Sequence, residues 1–337
     1  MVKPFLFAPP VFLLAVLGVH GAELSRFTFT QPHMGTRFQI IVYAADEAAA
    51  DRAVKAAFER IAGLDGIMSD YRPTSELMQL CAQAGGEPVR VSDDLFFVLS
   101  RAQELSRRSG GAFDVTVGPV VRLWRQARKT RRLPDPKELD RARELVGYSM
   151  VRLDEKARTV QLLKPGMQLD LGGIAKGYAA DAALAVLKKH GIDRALVAAG
   201  GDIAVSGPPP DTAGWAIGIA PLENPEARPR RSLRLRDAAV STSGDAEQFV
   251  EIDGRRYSHI IDPRTGMPVI GRSSVTVMAR DGTTADSLAT AVSVLGPERG
   301  LALVEDTEGA AAYIVRKTEK GEEVFVSKRF PKSGAEP

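Results

Sequence analysis

Apolar residues along this chain recur at two spacings, which divide it into helices and strands. From Asp51 to Ile67, Ala53, Ala57, Ile61 and Leu64 return every three or four positions, lining up one apolar face of a helix. Ser75 caps a short helix, and Ser92 to Asp94 open another, Leu95 to Ser109, which stops at Gly110-Gly111. A further helix runs from Ala175 to His190 and ends at Gly191. Runs bounded by turn residues read as strands: Phe27 to Tyr43 as two about a bend at Gly35, Ala195 to Ala199, Trp215 to Ile219 paired with Ser232 to Leu235, Ser274 to Ala279, and Ala311 to Val315. After a charged turn, Thr318 to Glu323, a last strand covers Val324 to Ser327. Hairpins are expected around Asp154 to Arg158 and at Asp253-Gly254. Met167 to Leu171 reads as a strand passing through Gly172-Gly173 into the Ala175 helix, and Ser241 to Gly244 reads as a turn. Hairpins in place of regular crossover helices predict an α+β fold: mixed, mainly antiparallel sheets with flanking helices, in one unit divisible into two lobes.

Length and charge narrow the picture only a little. A chain of 337 residues is enough for one large domain or two intimate ones. At the N-terminus Lys3 precedes an apolar run, Phe5 to Val19, and then His20-Gly21-Ala22-Glu23, so residues 1–22 are expected to be a secretory signal peptide. An uncleaved membrane anchor is the alternative, because Pro9-Pro10 interrupt the run. The expected location is the periplasm, or the inner membrane if the signal remains. No cysteine follows the apolar segment, which argues against a lipoprotein. Residues 23–330 are left for the working domain and 331–337 for a disordered tail. The formal charge is +3, or +2 without Lys3, which argues neither for nor against nucleic acid. Arg122 to Arg143 is dense in cations, but aromatics are not interleaved, so it reads as a solvated loop and helix face and no nucleic-acid partner is expected. Cys81 is the only cysteine; it excludes an internal disulfide and a multi-cysteine metal site, and reads as a small buried apolar residue.

Three features carry chemistry. Asp170-Leu171-Gly172-Gly173-Ile174-Ala175-Lys176-Gly177 places two glycines where a strand turns into a helix, so backbone can approach a ligand and the helix N-terminus can face an anion, with Lys176 as a cation. Taken alone, the same glycines are equally a plain tight turn, and the spacing is neither a Walker A loop nor a Rossmann fingerprint. His259, one of three histidines beyond the signal, lies in a Ser-His-Ile-Ile-Asp-Pro segment read as a loop, where it is either a satisfied structural residue or a general base. Asp286 and Thr290 are one helical turn apart on one face, and two hard oxygens so placed can hold Mg²⁺ if a phosphate or carbonyl completes the shell; Asp286 as a helix cap is the competing reading.

Ordered blocks from about Met34 to Ser327 resemble the ApbE family of FAD:protein FMN transferases. They are Met34-Gly35-Thr36, Tyr71-Arg72-Pro73 with Ser75-Glu76, Gly111-Ala112-Phe113-Asp114, the Asp170 to Tyr178 segment, Gly200-Gly201-Asp202-Ile203, Ser243-Gly244, His259 to Gly266, and Ala285 to Ala291. The resemblance implies an ApbE-like, T-fold-related architecture. It implies an Mg²⁺-dependent transferase that cleaves FAD at its pyrophosphate, joins FMN through a phosphoester to a threonine of a partner protein, and releases AMP. Mg²⁺ would be held by Asp286, Thr290 and the carbonyl of Ala175; FAD would contact Met34, Tyr71, Ala112, Phe113, Asp114, Asp170 and Lys176, with His259 near the reacting phosphate. Acceptors implied are extracytoplasmic subunits of NADH:quinone reductase or RNF-type complexes, or other FMN-binding domains with an exposed threonine. The chain departs from the family at Cys81, Ala246 and Gln248, where an asparagine, an aromatic and an arginine are frequent. Two other functions fit the same residues: an FAD pyrophosphatase giving FMN and AMP, and a periplasmic FAD-binding protein without turnover.

Overall fold

Ser25–His33 and Thr36–Ala44 pair antiparallel across the two-residue turn Met34-Gly35, whose φ angles of 49° and 72° suit the right-handed twist of a hairpin. This hairpin is one edge of an eight-stranded sheet in the computed structural model, which describes residues 23–223, 227–229, 231–244 and 249–331. The order continues through Ala195–Ala199, Asp202–Val205, Ala238–Gly244, Ser273–Ala279, Ala311–Thr318 and Gly321–Val326. Every strand pairing among the described residues is antiparallel, so the expectation of mixed sheets gives way to all-antiparallel ones. The α+β class stands.

Among the described residues, seven α-helices accompany the sheets: α1 (Glu47–Met68), α2 (Glu76–Ala82), α3 (Asp93–Arg108), α4 (Gly118–Thr130), α5 (Pro136–Arg143), α6 (Ala175–Lys189) and α7 (Gly282–Glu305). Asp46, Ser75, Ser92 and Asp281 cap α1, α2, α3 and α7 by accepting a hydrogen bond from a backbone N–H three residues on. Because Asp281 caps α7, the carboxylate of Asp286 is free for another use.

One face of the large sheet is covered by α1, α6 and α7, with Phe38, Ile40, Ile61, Leu64, Ile174 and Leu187 wholly buried between them. Burying each such side chain contributes about 1.5–3 kcal/mol. Alanines fill the positions where these helices run close: Ala50, Ala53 and Ala57 of α1 and Ala179, Ala180 and Ala183 of α6 are buried. The opposite face is covered by a two-stranded hairpin, Trp215–Ile219 with Arg231–Leu235, which packs on Ile41, Leu196, Val205 and Val240. A third core joins α4 and α5 to the three-stranded sheet Phe249–Ile252, Arg255–Asp262 and Met267–Ile270, where Trp124 donates to the Gly266 carbonyl at 2.9 Å. Cys81 is buried as expected; burial pushes its thiol up to about 11, and its sulfur accepts from the Leu169 N–H at 3.3 Å.

Several local expectations are corrected. Ser241 to Gly244 form strand, not a turn, because each pairs across to Ser274–Val277 and Thr242 and Thr276 share a hydroxyl contact at 3.0 Å. Met167 to Leu171 is extended chain outside any sheet, tied to its surroundings by the Asp170 N–H donating to the Val115 carbonyl at 2.8 Å. The final hairpin turns tightly at Glu319-Lys320, since Thr318 pairs with Gly321. Among the described residues no helix is long and apolar enough to cross a membrane. The expected signal peptide, residues 332–337 of the expected tail, and the departures at Ala246 and Gln248 lie outside the described residues.

Candidate active site

The glycines place the site. Gly177 in α6 and Gly282 in α7 face each other so closely that a Cβ on Gly177 would stand 2.0 Å from the Gly282 carbonyl oxygen. Gly173 meets α7 about two turns further along, where a Cβ would stand 2.8 Å from Thr290 Oγ1. With no side chains between them, the start of α6 lies against the second turn of α7, which brings Lys176 to Asp286 and Gly173 to Thr290, with Ala175 lining the same cleft. Asp181 pins the crossing by accepting from the Gly282 N–H at 2.6 Å, the Thr283 N–H at 2.8 Å and the Thr283 hydroxyl at 2.7 Å.

A charge cluster results. Asp286, 2 % exposed, accepts from the Gly177 N–H at 3.1 Å and lies 3.5 Å from Lys176 Nζ. Lys176 donates to the Gly172 carbonyl at 2.7 Å and pairs with Asp202 at 3.2 Å, while Ser241 donates to the other oxygen of Asp202 at 2.5 Å. Burial works against the Lys176 ammonium, but the carboxylates of Asp202 and Asp286 prevail and its pKa lies above the usual lysine value. Burial, then the neighbouring charge of Asp202, holds Asp286 above the usual carboxylate range. Two acids and one ammonium in a buried space leave an excess of negative charge that a cation would relieve.

The cluster opens on a cleft of about 1160 Å³ lined by every residue expected to contact FAD or Mg²⁺. Met34 reaches it from its left-handed turn. Tyr71 is 73 % exposed at the mouth, with the Arg125 guanidinium 4.4 Å above its ring. Ala112, Phe113 and Asp114 form part of the wall and are almost wholly buried. The Asp114 carboxylate is engaged by the Thr116 N–H at 2.9 Å, the Thr116 hydroxyl at 2.7 Å and the Tyr148 N–H at 2.6 Å, so its role is to hold the wall. Asp170 accepts from the Gly172 N–H at 2.8 Å and pairs with Arg125 at 2.7 Å, which fixes the glycine turn from behind. His259 also lines the cleft, but from a strand, not a loop: the Arg255–Asp262 strand breaks register with its neighbour between Tyr257 and Ile261, and such an irregularity re-aims side chains.

The donors at the cleft floor suit a divalent metal. Thr290 Oγ1 makes no hydrogen bond among the described residues, and it faces the cleft one turn from the buried Asp286 carboxylate. No group of three or more His, Cys, Asp or Glu suited to a metal exists among the described residues. The set therefore suits a hard cation that takes the rest of its shell from phosphate, carbonyl and water, as Mg²⁺ does.

Two site residues were not recognised in the sequence. Asp202 sits in the Gly-Gly-Asp-Ile block, where nothing local marks a role for it; only the fold brings it to Lys176. Arg125, in a segment whose composition reads as a solvated face, sits in the cleft between Asp70 and Asp170, paired with both. Its position directly after buried Trp124, on the same helical column as Val121 and Arg128, is the available signal.

Residues 34–314 match the ApbE family. The FAD:protein FMN transferase of Treponema pallidum is 36 % identical over 309 residues, covering 87 % of this chain and 85 % of that protein. The protein of the same name from Vibrio cholerae is 34 % identical over 326 residues, with 95 % and 97 % covered. Among solved structures, flavin transferase ApbE from Vibrio cholerae superposes with a TM-score of 0.80 at 32 % identity, covering 91 % of this chain and 98 % of that one. The ApbE protein of Thermotoga maritima gives the same four values. Sequence and fold agree over nearly the whole described chain, and the chain belongs to the ApbE family.

Proposed function

We propose that this chain is an FAD:protein FMN transferase: it cleaves FAD at the pyrophosphate, joins FMN to a threonine hydroxyl of an acceptor protein, and releases AMP. The observation that carries the reading is the convergence of Lys176, Asp286 and the unpartnered Thr290 hydroxyl on one glycine turn at the floor of the cleft. The names of the relatives support flavin transfer as the activity.

The threonine oxygen forms a bond to the flavin-side phosphorus while the bond from that phosphorus to the bridging oxygen breaks, and AMP departs with the electron pair. Lys176 sets a positive charge beside the diphosphate, and the close backbone at Gly172-Gly173 admits its oxygens. Asp286, Thr290 and the Ala175 carbonyl would hold Mg²⁺, which when bound neutralises charge that builds on the phosphates. His259 takes the threonine proton; this hydroxyl is a weak nucleophile and needs a base in reach. Arg125 and Asp170 keep the turn in place. The chain acts after export, in the periplasm or at the inner membrane, which cell fractionation tests directly.

Incubation with FAD, Mg²⁺ and a folded acceptor domain should add the mass of one FMN less one water to the acceptor, and lose that product when its threonine is replaced. FMN release that is unchanged by the acceptor, with no mass added, would make the chain an FAD pyrophosphatase. Wild-type transfer by His259→Ala would remove the histidine from the mechanism.

A further inference from the structure

Between Val115 and Pro134 the chain carries Arg122, Arg125, Arg128, Lys129, Arg131 and Arg132 and no Asp or Glu. Arg125 is neutralised by Asp70 and Asp170. The other five make no ion pair, side-chain hydrogen bond or ring contact among the described residues. Cations in the last turn of α4 complement the helix dipole, which accounts for Arg128 and Lys129 in part. It does not account for Arg122 near the other end of the helix, or for two further arginines beyond it.

The placement of these charges is specific. Val121, Arg125 and Arg128 line the cleft. At about 100° per residue, Arg122 and Lys129 occupy the adjoining column of α4, turned outward, and both are exposed, as are Arg131 and Arg132. Arg128 is half-buried, and desolvation followed by the nearby Arg125 charge lowers its pKa, the mark of a cation short of compensating anions. Beside this rim stand Tyr71, 73 % exposed, and Leu133, 47 % exposed. Cationic and aromatic side chains together at the edge of a cleft are the composition of a protein-docking surface.

We propose that the rim of α4 docks the acceptor protein by pairing Arg122, Arg128, Lys129 and Arg132 with Asp and Glu side chains that flank the acceptor's threonine. This rests on the flavin-transfer reading: with FAD in the cleft, the second substrate must enter by the same mouth, past α4. Charge complementarity there raises the encounter rate and sets the orientation of the threonine.

The test is the triple variant Arg122→Glu/Lys129→Glu/Arg132→Glu, assayed with a folded domain whose exposed threonine is ringed by acidic residues. At low ionic strength the acceptor KM should rise by about tenfold or more with kcat and the FAD Kd unchanged, and the difference should shrink with added salt. Neutralising the acidic ring on the acceptor should raise KM for the wild type and leave the triple variant little changed. An unaltered acceptor KM in the triple variant overturns the docking proposal while leaving flavin transfer standing. So does a variant whose only loss is binding to vesicles containing anionic phosphatidylglycerol, which would make the rim a lipid contact. If the wild type transfers no FMN at all, the flavin-transfer reading falls and the docking proposal with it.

Discussion

Gly177 and Gly282 lie in direct backbone contact where α6 crosses α7: each would place a Cβ within 2.6 Å of the other's carbonyl oxygen, and neither has a φ that itself demands glycine. The glycines are there for proximity, and the site depends on it. Gly177→Ala should force the helices apart, costing about 2–3 kcal/mol of stability. Gly63 is the control. It is exposed in the interior of α1 with nothing within 4 Å of its Cβ position, so Gly63→Ala should stabilise by about 0.5–1 kcal/mol. Chemical denaturation of both variants checks the pair; equal effects would mean that the crossing is not close-packed.

Asp286 is buried, one helical turn from Thr290, and shares Lys176 with Asp202. Asp286→Asn keeps the shape and removes a charge that the lysine and a divalent cation would both use. Transfer should fall by about 100-fold or more, with FAD binding weakened mainly in the presence of Mg²⁺. Thr290→Val should act in the same direction and more weakly. Steady-state transfer rates against Mg²⁺ concentration check both, and a Mg²⁺ dependence identical to wild type in the Asp286 variant would remove it from the metal set.

Asp181 gives a pH signature of stability. Burial pushes its carboxyl up to about 6 despite the three hydrogen bonds donated to it. A carboxyl whose folded pKa exceeds its unfolded value binds its proton more tightly in the native state. The stabilising contribution is therefore full below about pH 4 and is lost as pH rises to about 6. Asp181→Asn cannot titrate, so the difference in unfolding free energy between wild type and variant should move by a kcal/mol or more across that window. A difference flat from pH 4 to 7 would place the carboxyl at an ordinary pKa.

Local signals in the sequence reached far into this fold because they are short-range. Ser75 and Ser92 cap the helices expected of them, Asp253-Gly254 closes its hairpin, and the Asp286–Thr290 spacing does put both on one helix. What was misread depended on partners distant in the chain. Ser241 to Gly244 has the composition of a turn, but the edge of Ser273–Ala279 offered it a ladder, and the ladder prevailed. His259 precedes Asp262-Pro263 and looks like loop, yet two neighbouring strands draw it into a sheet. Asp202 and Arg125 acquire roles only through residues tens of positions away: Lys176 and Ser241 for one, Asp70 and Asp170 for the other.

Arg125 is the sharpest case, because two carboxylates depend on it. Its guanidinium lies between Asp70 and Asp170 and stacks on Tyr71, at 25 % side-chain exposure. Burial, then the charge of Asp170, raises the pKa of Asp70 even with the arginine present. In Arg125→Met both carboxylates would remain without their counter-ion, so Asp70, already raised by burial, should rise further and the native state should take up a proton. The penalty is then largest at high pH, about 3 kcal/mol, and shrinks as pH falls and the Asp70 carboxyl takes up its proton. The same loss frees Asp170 from the back of the glycine turn, so FAD affinity should fall. Arg125→Lys should recover part of the stability but not the bridge, since one ammonium cannot reproduce a fork that spans two acids. Unfolding measurements at pH 5 and pH 8 decide it; a pH-independent penalty would mean that packing on Tyr71, and not charge, is what Arg125 contributes.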